Sequence, residues 1–372
     1  MPYWEQQALS LECLPPVAEH ITRPWDSADE YVLQQLDKNA PTLVVNDRYG
    51  ALSCSLSRPV VWLESRCAQR ATEANHQHNQ LQQKIEWIEH PSALSEPLQQ
   101  VVLRIPKNLD QLRYWLQECQ QHLPANTRYF LAGMSKHIPV SWLKWLEANS
   151  DTYQQLPIER KARVMILSGL KADHQLAKWQ GYSVELPGQP AARFAALPGV
   201  FSRNSMDFGS GFLLEQCQQL QHSFHGRVCD LGCGNGLLGI TLALRHPGLE
   251  LTLTDDSLLA VESVRANASS NDVAATVCHA DILDGIDGPF DFIVCNPPFH
   301  DGHKQLSDIA ELMFQQAASK LVASGELWVI ANRHLPYRPV MKRYFRKADV
   351  VAENPKFMLY RCRRPLSGKD KS

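Results

Sequence analysis

Apolar residues in the second half of the chain fall in short runs, and each run leads to a polar residue. Runs of this kind end at four positions: Asp230, Asp255, Asp281 and Asn296. Short apolar runs bounded by turn-forming residues are typical of buried strands, and the intervening segments 237–244 and 308–321 have the pattern of helices. We therefore predict an α/β fold with a mostly parallel sheet. The four polar strand ends should share the edge at which open α/β sheets bind ligands.

The first of these strands runs into a glycine-rich turn at residues 228–236. Three glycines allow positive φ in this turn and let a ligand approach the backbone closely: Gly232, Gly234 and Gly236. Residues 234–239 are also a literal G-x-G-x-x-G, and Asp255 follows Gly234 by 21 residues, as in a dinucleotide site. Taken alone, the turn is compatible with a nicotinamide cofactor and with S-adenosyl-L-methionine.

The other strand ends favour S-adenosyl-L-methionine. Asp230 is expected to accept from the ammonium of a methionine moiety, and Asp255 lies where a ribose-binding acid is expected. After the next strand, Asp281 can meet an adenine amino group while Ile282 packs on the adenine ring. A dehydrogenase would use the first two acids but has no use for Asn296.

Asn296 begins the sequence Asn-Pro-Pro-Phe, which suits the exocyclic amine of a nucleobase. Such an amine is a weak nucleophile because its lone pair is delocalised, so it must be oriented against a methyl donor. The side chain of Asn296 and the backbone of Pro297 can accept its two N–H bonds. Pro298 removes a backbone donor, and Phe299 offers a stacking face for a flipped base. Because Asn296 ends a strand beside the cofactor turn, we count it among the cofactor-binding residues too.

These motifs resemble the Rossmann-like methyltransferases that use S-adenosylmethionine. Residues 296–302, Asn-Pro-Pro-Phe-His-Asp-Gly, are similar to the bacterial ribosomal RNA guanine-N2 methyltransferases, whose chains contain two methyltransferase-like domains. Residues 28–36 and 46–54 are similar to the large-subunit (23S) enzyme of that family. Residues 300–302 and 335–337 are instead small-subunit-like, so the 16S alternative stays open for the target guanine.

The resemblance also implies roles for residues before and after the core motifs. Residues 197–203 and 207–214 match a segment that in this family precedes the cofactor turn and helps close the site. Phe201 and Arg203 are therefore expected to face the substrate. His300, just past the Asn-Pro-Pro-Phe loop, is a candidate for an RNA contact or a base.

The first half of the chain repeats the pattern of the second. Residues 60–64 and 101–107 parallel 251–255 and 292–298 with the same offset of 191 residues, which indicates a duplicated domain. We predict tandem Rossmann-like domains at 1–178 and 179–372, the second with a seven-stranded sheet and a reversed last strand. The first copy keeps Gly50 but lacks counterparts of Gly232, Gly236 and the double proline, so we expect a degenerate domain without cofactor. It is expected to support the second domain or to orient RNA through residues such as Arg104, Lys107 and Arg113.

Charge is distributed unevenly along the chain. The formal net charge is −2, but residues 333–372 contain 12 Lys or Arg and 3 acids, a net of +9. A basic segment beside the ligand-binding edge can neutralise phosphates. We expect its basic residues from 333 to 347 on or beside the helix that follows the fifth strand, and a hairpin of residues 350–353 and 357–362 after that helix. The candidates for RNA contact in this segment are Arg333, Arg338, Lys342 and Arg343.

Composition limits the remaining possibilities. The ten cysteines include no C-x-x-C pair, so we predict neither a metal site nor a disulfide framework. The chain has no apolar run of membrane-spanning length and no signal-peptide pattern, so we expect no membrane contact and a cytoplasmic location.

We therefore expect methyl transfer from S-adenosyl-L-methionine to the N2 amine of a guanine in 23S ribosomal RNA. The alternatives are enzymes that methylate 16S rRNA, DNA adenine or protein glutamine, because these methyltransferases share an Asn-Pro-Pro-aromatic loop. A non-catalytic RNA-binding or assembly factor and a nicotinamide-dependent oxidoreductase are alternatives of other classes.

Overall fold

The structure is a computed structural model that describes residues 9–14, 23–188, 190–298 and 304–366, with only the backbone for 304–307. Contacts divide the chain into two compact units, Met1–Lys178 and Trp179–Ser372. In the described ranges, no helix combines the length and apolar character needed to cross a bilayer.

The first unit contains a seven-stranded sheet, counted over its described residues, with strand order β3-β2-β1-β4-β5-β7-β6. Its strands are β1 (Thr42–Val45), β2 (Pro59–Trp62), β3 (Glu86–Trp87), β4 (Gln100–Arg104), β5 (Arg128–Met134), β6 (Ser150–Gln155) and β7 (Ala162–Leu170). Its α-helices are α1 (Ser27–Leu33), α2 (Arg66–His78), α3 (Leu109–His122) and α4 (Val140–Ala148). Short 3₁₀ turns lie at Ser53–Ser55, Pro91–Ala93 and Ser135–His137.

The second unit has the same strand order, β12-β11-β10-β13-β14-β16-β15, and adds a two-stranded sheet of β8 and β9. Its strands are β8 (Gln180–Val184), β9 (Ala192–Ala196), β10 (Arg227–Leu231), β11 (Glu250–Asp255), β12 (Ala275–His279), β13 (Phe290–Cys295), β14 (Leu321–Asn332), β15 (Phe345–Glu353) and β16 (Phe357–Pro365). Its α-helices are α5 (Phe208–Gln219), α6 (Leu237–Arg245), α7 (Leu258–Ser270), α8 (Lys304–Lys320) and α9 (Tyr337–Met341).

Each seven-stranded sheet is mostly parallel with one reversed strand. In the first unit β7 is antiparallel to both β5 and β6, and in the second β16 is antiparallel to both β14 and β15. The predicted tandem α/β architecture with a reversed last strand is therefore confirmed. The shared strand order is the structural counterpart of the sequence repeat.

Helices cover both faces of the second sheet, which explains why its central strands are apolar throughout. Along β13, Phe292 and Val294 pack into the core cluster that contains residues of α5, α6 and α7. Ile293 and Cys295 pack into the opposite cluster with α8 and α9. A strand buried on both faces has no solvent side, so its sequence shows a continuous apolar run rather than alternation.

The segment after β14 differs from the sequence prediction. The basic residues from 338 to 347 were expected on or beside one helix, but α9 spans only Tyr337–Met341. Arg346 and Lys347 lie on β15, which begins at Phe345 and not near residue 350. β15 is the edge strand of its sheet, so its outer edge faces solvent. Basic side chains are well tolerated on such a strand.

The start of α6 depends on Asp230. Gly236, the N-cap of α6, has φ +85° and no side chain to bond the free N–H groups of the first turn. The Asp230 carboxylate supplies that bond from the end of β10, accepting from the Gly239 N–H at 2.8 Å. A Cβ on Gly239 would lie 3.0 Å from the Asp230 Cβ and 2.5 Å from Leu253, so only glycine lets the helix pack this closely.

Burial of Asp230 predicts a pH-dependent stability. Burial raises the pKa of Asp230 to about 7, and nearby Asp255 adds to the rise. Its proton is therefore held more tightly in the folded protein than in the unfolded chain. The resulting stabilisation is complete below about pH 4 and is lost as pH rises towards 7, a change on the order of 4 kcal/mol.

The Asp230→Asn variant should lack this loss, because the amide keeps an oxygen acceptor without the charge. Urea unfolding of the cofactor-free protein at pH 5 and pH 7.5 would measure the difference between the two proteins. If the free energy of unfolding changed by the same amount in both proteins between pH 5 and pH 7.5, the raised pKa of Asp230 would be contradicted.

Candidate active site

The register of the second sheet brings the polar strand ends together. β10 lies between β11 and β13 and pairs with both in parallel, with Leu231 opposite Thr254 and Cys295. The glycine turn, Asp255 and Asn296 follow directly after these residues on three adjacent strands. β12 lies on the far side of β11, so Asp281 extends the same edge.

The glycine turn is held by its neighbour strand and leaves part of its surface open. The N–H groups of Gly232 and Cys233 both donate to the Thr254 carbonyl, at 2.9 and 3.0 Å. A Cβ on Gly234 (φ +55°) would meet no atom closer than 3.9 Å, and the nearest atoms belong to Phe201. A Cβ on Gly236 would instead lie 2.4 Å from Val264. Gly234 therefore borders open space, whereas Gly236 is required by packing.

Asp255 joins the turn to the start of α7. One carboxylate oxygen accepts from the Gly234 N–H at 2.8 Å, and the other accepts from the Ser257 N–H at 2.9 Å. Burial raises the pKa of Asp255, while these two N–H donors oppose the rise. A carboxylate has about four acceptor positions, so two remain for the hydroxyls of a ribose.

Asp230 lies deeper than the other acids. It is 1% exposed, and its carboxylate is bonded to α6 as described above. The structure thus shows it as part of the support beneath the turn. Its contact with a methionine ammonium stays a prediction.

The loop after β12 has a strained conformation at Ile282. Its φ is +57°, a left-handed value that is rare and costly for a β-branched residue. The Ile282 carbonyl accepts from the Thr254 hydroxyl at 3.1 Å, which holds the loop against β11. Asp281 and Ile282 are both partly exposed at this edge.

Asn296 is fixed in orientation by two residues of the α5 start. Its Nδ2 donates to the Asp207 carboxylate at 3.2 Å and to the Ser210 hydroxyl at 3.0 Å. Its Oδ1 is buried and has no hydrogen-bond partner among the described residues. An unpaired buried acceptor costs roughly 1–3 kcal/mol, so the side chain is held with an acceptor ready for a donor from outside.

Asp207 and Ser210 lie in the segment 207–214 that the resemblance assigned to closing the site, but neither was predicted to contact Asn296. Asp207 is the N-cap of α5 and accepts from the N–H groups of Gly209 and Ser210 at 2.9 and 3.0 Å. The signal for it was an Asp at a helix start, which indicates a cap and gives no hint of a partner on β13. The Asp207 carboxylate both caps α5 and holds the Asn296 side chain.

The substrate-facing candidates occupy different environments. Phe201 is 62% exposed beside the glycine turn, whereas Arg203 is 9% exposed and donates to the Ala196 carbonyl at 3.3 Å. Pro297 is buried and Pro298 is exposed. Phe299 and His300 lie outside the described residues.

The four basic candidates are all exposed, but two have carboxylate partners. Arg333 lies 3.6 Å from Glu353, and Arg343 lies 2.7 Å from Glu311. Arg338 donates to the Ala348 carbonyl at 3.0 Å. Within the described ranges, no carboxylate forms an ion pair with Arg338 or Lys342. The charges of these two residues are therefore the most available for RNA phosphates.

The corresponding edge of the first sheet is filled. Arg104 follows Leu103, which pairs with β1 as Cys295 pairs with β10, so Arg104 corresponds to Asn296. The predicted offset of 191 residues would have put Ile105 there, and the register shifts the repeat by one residue. Its guanidinium donates to Asp26, the N-cap of α1, at 2.7 Å and contacts Asp29 at 3.1 Å. The pair Asp26–Arg104 thus repeats Asp207–Asn296 with a cation in place of the amide.

Two further features close the first edge. Asn46, which stands in the place of Gly232, donates its Nδ2 to the Arg104 carbonyl at 2.7 Å. Burial opposes the charge of Arg104, but the carboxylates of Asp29 and Asp26 raise its pKa above the usual value.

Arg113 is also paired, with two hydrogen bonds of 2.6 and 2.9 Å to Asp173. Of the three RNA-contact candidates in this unit, only Lys107 is exposed.

One cluster in the first unit has metal-ligand residue types: His90, Glu118 and His122 have ligand atoms within 4.8 Å of one another. Both oxygens of the buried Glu118 carboxylate are already bonded, to His90 at 2.7 Å and to Lys178 at 2.8 Å. Burial of Glu118 is outweighed by these donors, which lower its pKa to about 2. The cluster is an ion-pair network that satisfies its own carboxylate.

Comparison with known proteins agrees with this geometry. Residues 191–361 match the family model described as methyltransferase small domain, and residues 2–172 match the RLMG N-terminal domain. Proteins named ribosomal RNA large subunit methyltransferase G match over nearly their whole length. The one from Alcanivorax borkumensis is 33% identical over 96% of this chain and 95% of its own. The one from Pseudomonas putida is 34% identical over 98% of both chains.

A solved structure shares the fold of the whole chain. It is the T. Thermophilus 16S rRNA N2 G1207 methyltransferase in complex with AdoMet and guanosine, with a TM-score of 0.79 and 24% identity. The match covers 91% of this chain and 92% of that one. At this identity the likeness establishes the two-domain fold, while the relatives of higher identity establish the family. The chain belongs to the ribosomal RNA large subunit methyltransferase G family.

Proposed function

We propose that this protein transfers a methyl group from S-adenosyl-L-methionine to the exocyclic N2 amine of a guanine in 23S ribosomal RNA. The observation that carries the proposal is the buried Oδ1 of Asn296, which has no hydrogen-bond partner among the described residues and is held next to the glycine turn. An amine donor is the partner that such an acceptor lacks. The names of the relatives support rRNA of the large subunit as the substrate.

The residues at the sheet edge fit the cofactor. Gly234 gives backbone access, Asp255 keeps acceptor positions for a ribose, and the loop at Ile282 borders the place for an adenine. When bound, S-adenosyl-L-methionine supplies an electrophilic methyl group on a positive sulfonium. The chain itself needs only to bind, orient and exclude water.

Orientation of the guanine is the main task of the protein residues. The Asn296 Oδ1 accepts one N–H of the amine, and the Pro297 carbonyl accepts the other. The lone pair of the nitrogen then points away from both acceptors and towards the methyl group. Phe299 stacks on the flipped base, and Phe201 covers the opposite side. Transfer would break the methyl–sulfur bond, leave S-adenosylhomocysteine and form the N2–methyl bond. The cationic nitrogen would then lose one proton to solvent, so no strong base is required in the site.

The substrate also suggests where the protein acts. Ribosomal RNA of a bacterium is made and assembled in the cytoplasm, and we propose that location for this chain. Methylation of 16S rRNA is the second candidate, because residues 300–302 and 335–337 resemble the small-subunit enzymes.

Asn296→Ala tests the role of the acceptor. We expect methyl transfer to fall about 100-fold or more, because one oriented contact to the reacting group is lost. Single-turnover rates would measure the effect, and calorimetry with S-adenosylhomocysteine should show largely unchanged affinity. Asn271→Ala is the matched control, since Asn271 bonds to Arg193 away from the edge. Wild-type turnover in Asn296→Ala would refute the assignment.

The substrate is tested with the wild-type protein and unmodified nucleic acids. Transcribed 23S rRNA should accept methyl groups, recovered as N2-methylguanosine after digestion, while 16S rRNA and duplex DNA should not. Modification of 16S rRNA alone would select the second candidate. Methylation of adenine or of protein would overturn the proposal.

We further propose that the first unit holds no cofactor, because Arg104 and Asn46 fill the edge that Asn296 and the glycine turn leave open. Titration of the full chain with S-adenosylhomocysteine should therefore give one site per chain. Asp255→Ala, which removes an acceptor from the second edge alone, should abolish that single site. A second site that survives in this variant would show that the first edge also binds.

A further inference from the structure

Three exposed apolar side chains lie close together in the sequence before and at the start of α5: Phe201 (62% exposed), Met206 (41%) and Phe208 (78%). Exposed apolar residues are ordinary when scattered singly, but a group beside a ligand site indicates a binding surface. Phe201 borders the glycine turn, and Phe208 follows Asp207, which holds Asn296. Phe201 and Phe208 therefore both lie next to residues of the proposed site.

The backbone of Phe208 is fixed although its ring is exposed. Phe208 is the first residue of α5, and the preceding Asp207 fixes that turn by accepting from two backbone N–H groups. A fixed backbone reduces the conformational freedom that is lost when a ligand stacks on the ring, which favours binding. The position can therefore present an aromatic face.

A cation accompanies the ring. The Lys356 ammonium lies 5.2 Å from the centroid of the Phe208 ring and 5.2 Å from that of Phe357. The turn that carries Lys356 is fixed by Asn354, whose side chain accepts from the N–H groups of Lys356 and Phe357 at 2.8 and 2.7 Å. No carboxylate in the described part of the chain pairs with Lys356. An unpaired cation beside an exposed ring matches the requirements of a nucleotide, a base to stack and a phosphate to neutralise.

We propose that Phe208 and Lys356 form a stacking platform for an unpaired nucleotide that flanks the target guanine in the RNA. This inference rests on the proposed function and adds that the substrate is single-stranded around the target. A base inside a duplex has both faces covered by its neighbours and cannot stack on Phe208. A protein partner would use the apolar area of the ring but not its planarity or the cation.

The test compares side chains at residue 208 in the full-length protein. Phe208→Ala should raise the KM for transcribed 23S rRNA by about 5- to 150-fold, the range for loss of one stacked base. Phe208→Trp should keep the wild-type KM, whereas Phe208→Leu should behave like Ala because it keeps apolar area without a planar face. The kcat at saturating RNA and the affinity for S-adenosylhomocysteine should stay unchanged in all three.

Binding measurements separate the platform from catalysis. Fluorescence anisotropy with a short oligouridylate should show the same order of variants, and a fully paired RNA should bind wild type and variants alike. Lys356→Gln should reduce the slope of log Kd against log salt by about 0.7 to 1. Leu220→Ala is the matched control, since Leu220 is 48% exposed beyond the opposite end of α5.

The outcomes distinguish this inference from the function on which it rests. If wild type methylates rRNA but Phe208→Ala keeps its KM, the platform is wrong and the function stands. A wild-type KM in Phe208→Leu would point to an apolar docking site for a protein and overturn nucleotide stacking. If wild type fails to methylate any rRNA, the proposed function itself falls, whatever the oligouridylate shows.

Discussion

The hydrogen bond between Asp207 and Asn296 determines the chemistry of the sheet edge. The two ends of a carboxamide have nearly the same shape, so packing alone would not decide which one faces a ligand. An ionised carboxylate can only accept, and it therefore takes the Nδ2 of Asn296 and leaves Oδ1 for another donor. Asp207 is itself fixed as the cap of α5. The position of that helix thus selects an acceptor at the end of β13.

The pattern of apolar and polar residues was sufficient to predict the strands and the sheet edge that they share. Apolar runs with polar ends predicted parallel strands whose ends share one edge, and the register confirms that the turn, Asp255 and Asn296 are adjacent. The contacts that orient Asn296 join residues 86 and 89 positions apart in the chain. Contacts of this kind have no period, so a single sequence carries no signal for them.

The prediction for the region after β14 went wrong for a physical reason. Several basic residues in succession suggested a solvated helix face, but β15 is an edge strand, and an edge strand also exposes one side. Asp349 and Arg363 show how the strands use these charges, since they form an ion pair of 2.8 Å between β15 and β16. Charge patterning indicates exposure, and exposure alone does not separate a helix face from a sheet edge.

Two units with the same strand order in one chain present different chemical groups at the same sheet edge, as expected where sites vary on a common fold. Both units bring the cap of a helix to the end of the fourth strand, as Asp26–Arg104 and as Asp207–Asn296. A buried guanidinium requires anionic partners, and the carboxylates of Asp26 and Asp29 are both engaged with Arg104. The neutral amide of Asn296 bonds Asp207 and Ser210 through its NH2 group and keeps its oxygen as an acceptor.

Three unfavourable features of the second unit lie along its sheet edge. The Asn296 Oδ1 without a partner among the described residues, the left-handed backbone of Ile282 and the exposed ring of Phe208 each oppose stability. A strained or unpaired group of this kind costs about 1–3 kcal/mol, against a total stability of about 5–15 kcal/mol for a typical domain. Folding alone gives no reason to place them along one sheet edge. A ligand does, because a base amine, an adenine ring and a stacked nucleotide would each satisfy one of them.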